Sequence, residues 1–205
     1  MVVIGLDGIK KACAATPEAW MISIWKPRCQ PAENLADTKP LNLVFADRSV
    51  PSANNQAATR ADARRILEFA AQAPIERLII HCQAGGSRSP AAAVGVGAIK
   101  AGITPGVASD EQIARAVAAP YEAATTALKL GWRFDMYLRP NEWLVALFDY
   151  ELGLNGRLLR SVIDRYHRHV QLDYTWERFT EYLLHAATTD DPAVYEQLID
   201  EYGLK

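Results

Sequence analysis

The sequence is poor in cysteine. Its 205 residues hold three, Cys13, Cys29 and Cys82, too few and too scattered for a disulfide framework or a zinc site. The expected compartment is therefore a reducing cytoplasm. No apolar run approaches the roughly 18–20 residues that span a bilayer. Met1 to Lys11 places its lysines after a short apolar stretch, the reverse of a signal peptide. Charge of either sign is not in excess: the formal net charge is −2, which gives no electrostatic reason to expect nucleic acid or a membrane as partner. There is no internal repeat. Half of the residues are hydrophobic and 22% are charged, the composition of a folded domain rather than a disordered or collagen-like chain. The length suits one domain with a small appendage.

Alternating strand and helix signals fill the first half. Val2 to Leu6 is an aliphatic run closed by Asp7-Gly8, followed by a short helix over Ile9 to Ala15 and a strand over Trp20 to Trp25. Pro27, Pro31 and Pro40 predict loop; Leu41 to Phe45 predicts a third strand. Asp47 stands just beyond it, ahead of Arg48 to Gln56, which reads as a mobile surface loop. Thr59 and Asp62 have capping-box spacing, and Ala63, Ile66, Leu67 and Ala70 share one helical face. Leu78 to Ile80, apolar without alternation, predicts a central strand buried on both sides. A helix starts near Ser89, with Pro90 in its first turn, and Gly95 and Gly97 make it thin enough for close packing.

The second half reads as helical. Ser109 and Gln112 form a further capping box, Ala119-Pro120 interrupts the pattern, and Asn141 caps a helix that ends before Gly153. Arg157, Arg160, Arg165 and Arg168 line a basic helix; Gln171 to Lys205 carries eight acids against two bases. This acidic tail either docks on the basic helix or both are solvated faces. His167 and His169 are expected to be solvated, and Tyr121, Tyr137 and Tyr150 to lie in core or rim. The predicted architecture is α/β: a central, mainly parallel sheet flanked by helices over residues 1–155, then a helical extension over 156–205.

The stretch His81-Cys82-Gln83-Ala84-Gly85-Gly86-Ser87-Arg88-Ser89 carries chemistry. Cysteine and arginine enclose five residues in a short, glycine-containing loop between a buried strand and a helix. Such a loop can turn successive N–H groups toward an anion, and the helix N-terminus adds partial positive charge. Arg88 supplies a planar fork of donors for two phosphate oxygens. Cationic surroundings of this kind lower a thiol pKa from about 8.5 to roughly 3.5–7.5 in activated cysteines. A Cys82 thiolate beneath a bound phosphoryl group is a nucleophile in place.

These residues resemble the cysteine-dependent protein tyrosine phosphatase superfamily, in its dual-specificity-like, bacterial-type branch. Its signature, His-Cys-x-x-Gly-x-x-Arg followed by Ser or Thr, is met by His81, Cys82, Gly85, Arg88 and Ser89. The likeness runs upstream to Leu41 and more loosely downstream to Leu152, with Arg139-Pro140-Asn141 leading into a helix like the family's last core helix. The stretch between Val117 and Arg139 is longer than usual, as an insertion would make it, and residues 157–205 have no counterpart. The resemblance implies Cys82 as nucleophile and Arg88 with the Gln83, Ala84, Gly85, Gly86 and Ser87 amides as the phosphate cradle. Ser89 would ease departure of the sulfur, and His81 would shape the loop. The family's general acid is an aspartate on a preceding loop. Asp47, 35 residues before Cys82 and just past a strand, is in that place; Asp62, its rival, is accounted for by its capping box.

The implied activity is hydrolysis of phosphotyrosine in proteins, with phosphoserine and phosphothreonine as a wider option, needing no metal or organic cofactor. The expected partner is a phosphorylated protein or small phosphoester, with neither nucleic acid nor membrane. Alternatives are a phosphatase for a phosphoinositide, nucleotide or RNA 5′-phosphate, a rhodanese-like sulfur transferase, or a weakly active phosphate-recognition module. Neutral Gln83, Ala84, Gly86 and Ser87 argue against a highly charged substrate.

Overall fold

A computed structural model describes residues 1–29, 38–52, 55–129, 138–167, 175–189 and 191–204. Its strands are β1 (Val2–Ile4), β2 (Trp20–Trp25), β3 (Lys39–Val44) and β4 (Leu78–His81). They form one parallel sheet in the order β1-β4-β2-β3. The predicted central strand is central, with Ile79 paired to Val2 on one side and Met21 on the other. Among the described residues eight helices surround the sheet: α1 (Ile9–Ala15), α2 (Arg60–Gln72), α3 (Arg88–Lys100), α4 (Asp110–Lys129), α5 (Glu142–Glu151), α6 (Arg157–Tyr166), α7 (Trp176–Ala186) and α8 (Pro192–Tyr202). The fold is therefore α/β, a parallel sheet flanked by helices with further helices at the C-terminal end. No helix among the described residues is long and apolar enough to cross a membrane.

Strand alternation divides the core. Val3, Ile22, Ile24 and Ile80 face a large cluster built with α2, α3 and α5. Val2, Ile4, Met21 and Ile79 face a smaller one closed by Ile9 and Ala12 of α1 and Ala127 of α4. Burial on both faces is the reason β4 shows no polar alternation. The large cluster continues without a break into Leu158, Leu159 and Val162 of α6 and Phe179, Tyr182 and Leu183 of α7.

Helix α2 begins as its sequence dictates. Thr59 Oγ1 accepts from the Asp62 N–H, and the Asp62 carboxylate accepts from the Thr59 N–H at 3.0 Å. The four expected apolar residues are its buried ones. Helix α3 is buried from Arg88 through Ala98. A side chain at Gly95 would meet the Phe148 ring at 2.8 Å, and one at Gly97 the Ala119 methyl at 2.7 Å. These glycines are the surfaces on which α5 and α4 approach.

Three expectations are corrected. Pro40 lies inside β3, opposite Met21; β3 is an edge strand, where a residue without N–H is tolerated. Helix α4 runs through Pro120. The Tyr166 hydroxyl donates to the Val117 carbonyl at 2.9 Å and meets the Tyr121 N–H. It thus bridges the rung next to the one the proline removes. His167 is buried, 2% exposed, as described below. Tyr121 and Tyr150 are exposed. Of the basic helix, Arg157 pairs with Asp110 at the start of α4. Pro31, Tyr137, Arg168 and His169 lie outside the described residues.

Candidate functional site

Strand β4 delivers His81, the chain turns through Cys82 to Ser87, and α3 begins at Arg88. Gly85 makes the turn with φ +81°. A Cβ there would stand 2.8 Å from the Gly5 nitrogen, so conformation and space both demand glycine. The loop's carbonyls are taken from outside. Leu6 N–H donates to Gln83 O (3.1 Å), Arg139 N–H to Gly86 O (2.8 Å) and Asn141 N–H to Ser87 O (3.2 Å). The Gly85 N–H donates to Cys82 Sγ at 3.3 Å, and Ser89 Oγ lies 3.2 Å from the same sulfur. The N–H groups of Ala84, Gly86, Ser87 and Arg88 meet no acceptor among the described residues.

Arg88 is 4% exposed. One guanidinium nitrogen, Nη1, donates to the Phe45 carbonyl at 2.9 Å, which fixes the plane of the fork. Its Nε is buried without a hydrogen bond, 3.7 Å from Asp47 Oδ2. An orphaned buried guanidinium N–H costs about 1–3 kcal/mol, a cost that an oxyanion in the loop removes.

Asp47 sits at the mouth, with 40% of its side chain exposed. Its Oδ1 accepts from Ser87 Oγ at 2.7 Å and from Asn141 Nδ2 at 3.0 Å. The segment carrying it is held to the body of the protein by further hydrogen bonds. Asn141 Nδ2 also donates to Arg48 O (3.0 Å), Ser49 Oγ donates to Glu142 Oε2 (2.6 Å), and the Tyr182 hydroxyl donates to Pro51 O (3.3 Å). Glu142 Oε1 lies 3.1 Å from His167 Nδ1, and His167 Nε2 lies 3.1 Å from the Pro140 carbonyl. Each ring nitrogen faces an acceptor, so both donate when the ring holds its second proton. The chain just beyond α6 thus reaches the Asp47 loop through Glu142 and Ser49.

His81 is fully buried, with Nε2 2.6 Å from Ser23 Oγ on β2. Burial chiefly lowers its pKa from 6.5 to about 4; contact with the Cys82 backbone opposes the shift and the Arg88 charge adds to it. The ring is neutral at pH 7 and ties β4 to β2, which suits loop shaping rather than proton transfer.

Cys82, the loop and Asp47 line one open cleft of about 650 Å³, with the sulfur on its floor, 2% exposed. Cys82, Arg88, Ser89 and Asp47, singled out in the sequence, thus meet in one place. Lys26, Arg48 and Arg139 also line it, and Asn141 holds the aspartate; the sequence marked Asn141 only as a helix cap. The two jobs are compatible because its Oδ1 accepts from the Leu144 N–H while its Nδ2 is left to donate. Among the described residues, no three of His, Cys, Asp and Glu gather to hold a metal ion. No family model matches the chain, and no curated protein matches it in sequence.

Proposed function

We propose that the protein is a cysteine-dependent phosphatase acting on phosphotyrosine in proteins. The observation that carries the reading is the unfilled set of donors around one sulfur. Among the described residues, four loop N–H groups lack acceptors, the buried Arg88 Nε makes no hydrogen bond, and Cys82 Sγ lies on the floor between them. A phosphoryl group has the charge and the number of oxygens that such a cradle accepts.

In the proposed reaction the Cys82 thiolate attacks phosphorus, the S–P bond forms and the P–O bond to the leaving group breaks. Asp47, in its acid form, gives its proton to the departing oxygen. The loop amides and Arg88 hold the equatorial oxygens. Water then attacks phosphorus and passes a proton to Asp47. The S–P bond breaks, with Ser89 Oγ donating to the returning sulfur. The sunken sulfur supports an aryl ester, which reaches farther down a cleft than a seryl ester.

The test is hydrolysis of para-nitrophenyl phosphate and of a phosphotyrosine peptide. Cys82→Ser is expected to reduce both to the uncatalysed background, and Asp47→Ala to slow turnover by about a hundredfold or more. Full turnover by Cys82→Ser overturns the assignment of the nucleophile. Cyanide-dependent thiocyanate formation without phosphatase activity overturns the reaction class.

A further inference from the structure

The cleft is strongly positive in a protein whose net charge is −2. Among the described residues, Lys26, Arg48, Arg88 and Arg139 line it against one carboxylate, Asp47. Arg88 belongs to the phosphate cradle. The other three are exposed and, among the described residues, take part in no ion pair. Five arginines elsewhere are held in ion pairs: Arg60 and Arg64 by Glu151, Arg77 by Glu18, Arg115 by Glu111 and Arg157 by Asp110. Three elements supply the free cations. Lys26 follows β2, Arg48 follows β3 beside the acid, and Arg139 precedes α5, where its N–H holds Gly86. The positive charge therefore surrounds the catalytic loop.

We infer that the substrate is a phosphopeptide segment with acidic residues flanking the phosphorylated side chain, recognised by Lys26, Arg48 and Arg139. The inference rests on the phosphatase reading and specifies its substrate. The placement of charge decides between polyanions. A compact, multiply phosphorylated small molecule sets its second phosphate against the loop, where Gln83, Ala84, Gly86 and Ser87 are all uncharged. Long, solvated side chains at the rim meet charges carried outside the phosphate pocket, as the neighbours of a phosphorylated residue in an extended chain are. Clefts lined by charge of one sign focus the field and favour ligands of the other. The selectivity is screened by salt, because the Debye length is only about 10 Å at 0.1 M.

The experiment uses phosphotyrosine peptides with Glu, neutral or Lys flanks, and an inositol trisphosphate as the compact polyanion. kcat/KM is measured for the intact protein, and affinity for Cys82→Ser protein, at low and high salt. The Glu-flanked peptide is expected to lead the neutral one by about tenfold at low salt, with the lead shrinking as salt rises. In the Lys26→Ala, Arg48→Ala, Arg139→Ala triple variant, the ratio of the two is expected to fall to about one; thermal melting confirms its fold. Equal use of Glu-flanked and neutral peptides, or a ratio unchanged in the triple variant, overturns the inference and leaves the phosphatase reading standing. A preference for the inositol phosphate over every peptide overturns the inference and, with it, the protein substrate of the proposed function, while the cysteine-dependent chemistry stands. Charge-selective binding without any turnover overturns the phosphatase reading and upholds the rim's selectivity.

Discussion

Burial holds the His81 imidazole near a pKa of 4, and that single shift sets a pH dependence for the fold. The unfolded chain binds a proton at this residue near pH 6.5, the native state only near 4. Unfolding therefore takes up a proton between those values, and stability is lost as pH falls through them. The contribution is fully present above about pH 6.5. Its loss by pH 4 is on the order of 3 kcal/mol. Chemical denaturation of wild type and His81→Gln across pH 4–7 checks this, since the variant is expected to show a shallower slope. Asp149 makes a second residue-scale case. It is 1% exposed and accepts from the Gly156, Leu158 and Leu159 N–H groups at 2.6, 2.7 and 3.1 Å. An amide in its place turns a donor toward donors. Asp149→Asn is thus expected to lower stability by about 2–4 kcal/mol, read from the denaturation midpoint.

Helix α4 shows what packing adds to propensity. Pro120 removes one rung, and the Tyr166 hydroxyl, brought by α6, spans Tyr121 N–H and Val117 O. Tyr166→Phe leaves the buried Val117 carbonyl and the Tyr121 N–H without that partner and is expected to destabilise by about 1–3 kcal/mol. The loss should appear as faster amide exchange around residue 121. The same comparison explains which elements were legible in the sequence. Helix α2 was, because Thr59 and Asp62 are three residues apart and cap each other locally. The Cys82–Arg88 loop was, because its chemistry lies within a few residues of sequence. The continuity of α4, the burial of His167 and the second job of Asn141 were not. Their partners stand 49, 27 and 94 residues away, and no local pattern encodes such a meeting.

Across the whole molecule, the C-terminal helices complete the core that positions the site. Tyr182, fully buried, donates to Pro51 in the segment beyond Asp47, and His167 holds Glu142, which holds Ser49. Ending the chain at residue 155 removes the apolar faces of α6 and α7 and strips the Asp47 loop of these ties. Such a truncation is expected to show no cooperative thermal transition by circular dichroism, whereas the full chain shows one.

The three unpaired cations at the cleft have one more consequence. Because no described residue leans on Lys26, Arg48 or Arg139 through an ion pair, their side chains can be exchanged without disturbing the described scaffold beneath. Gly85, Arg88 and Gly97 have no such latitude. A lineage carrying this chain is free to retune whom it serves by drifting at the rim, while the apparatus on the floor stays locked.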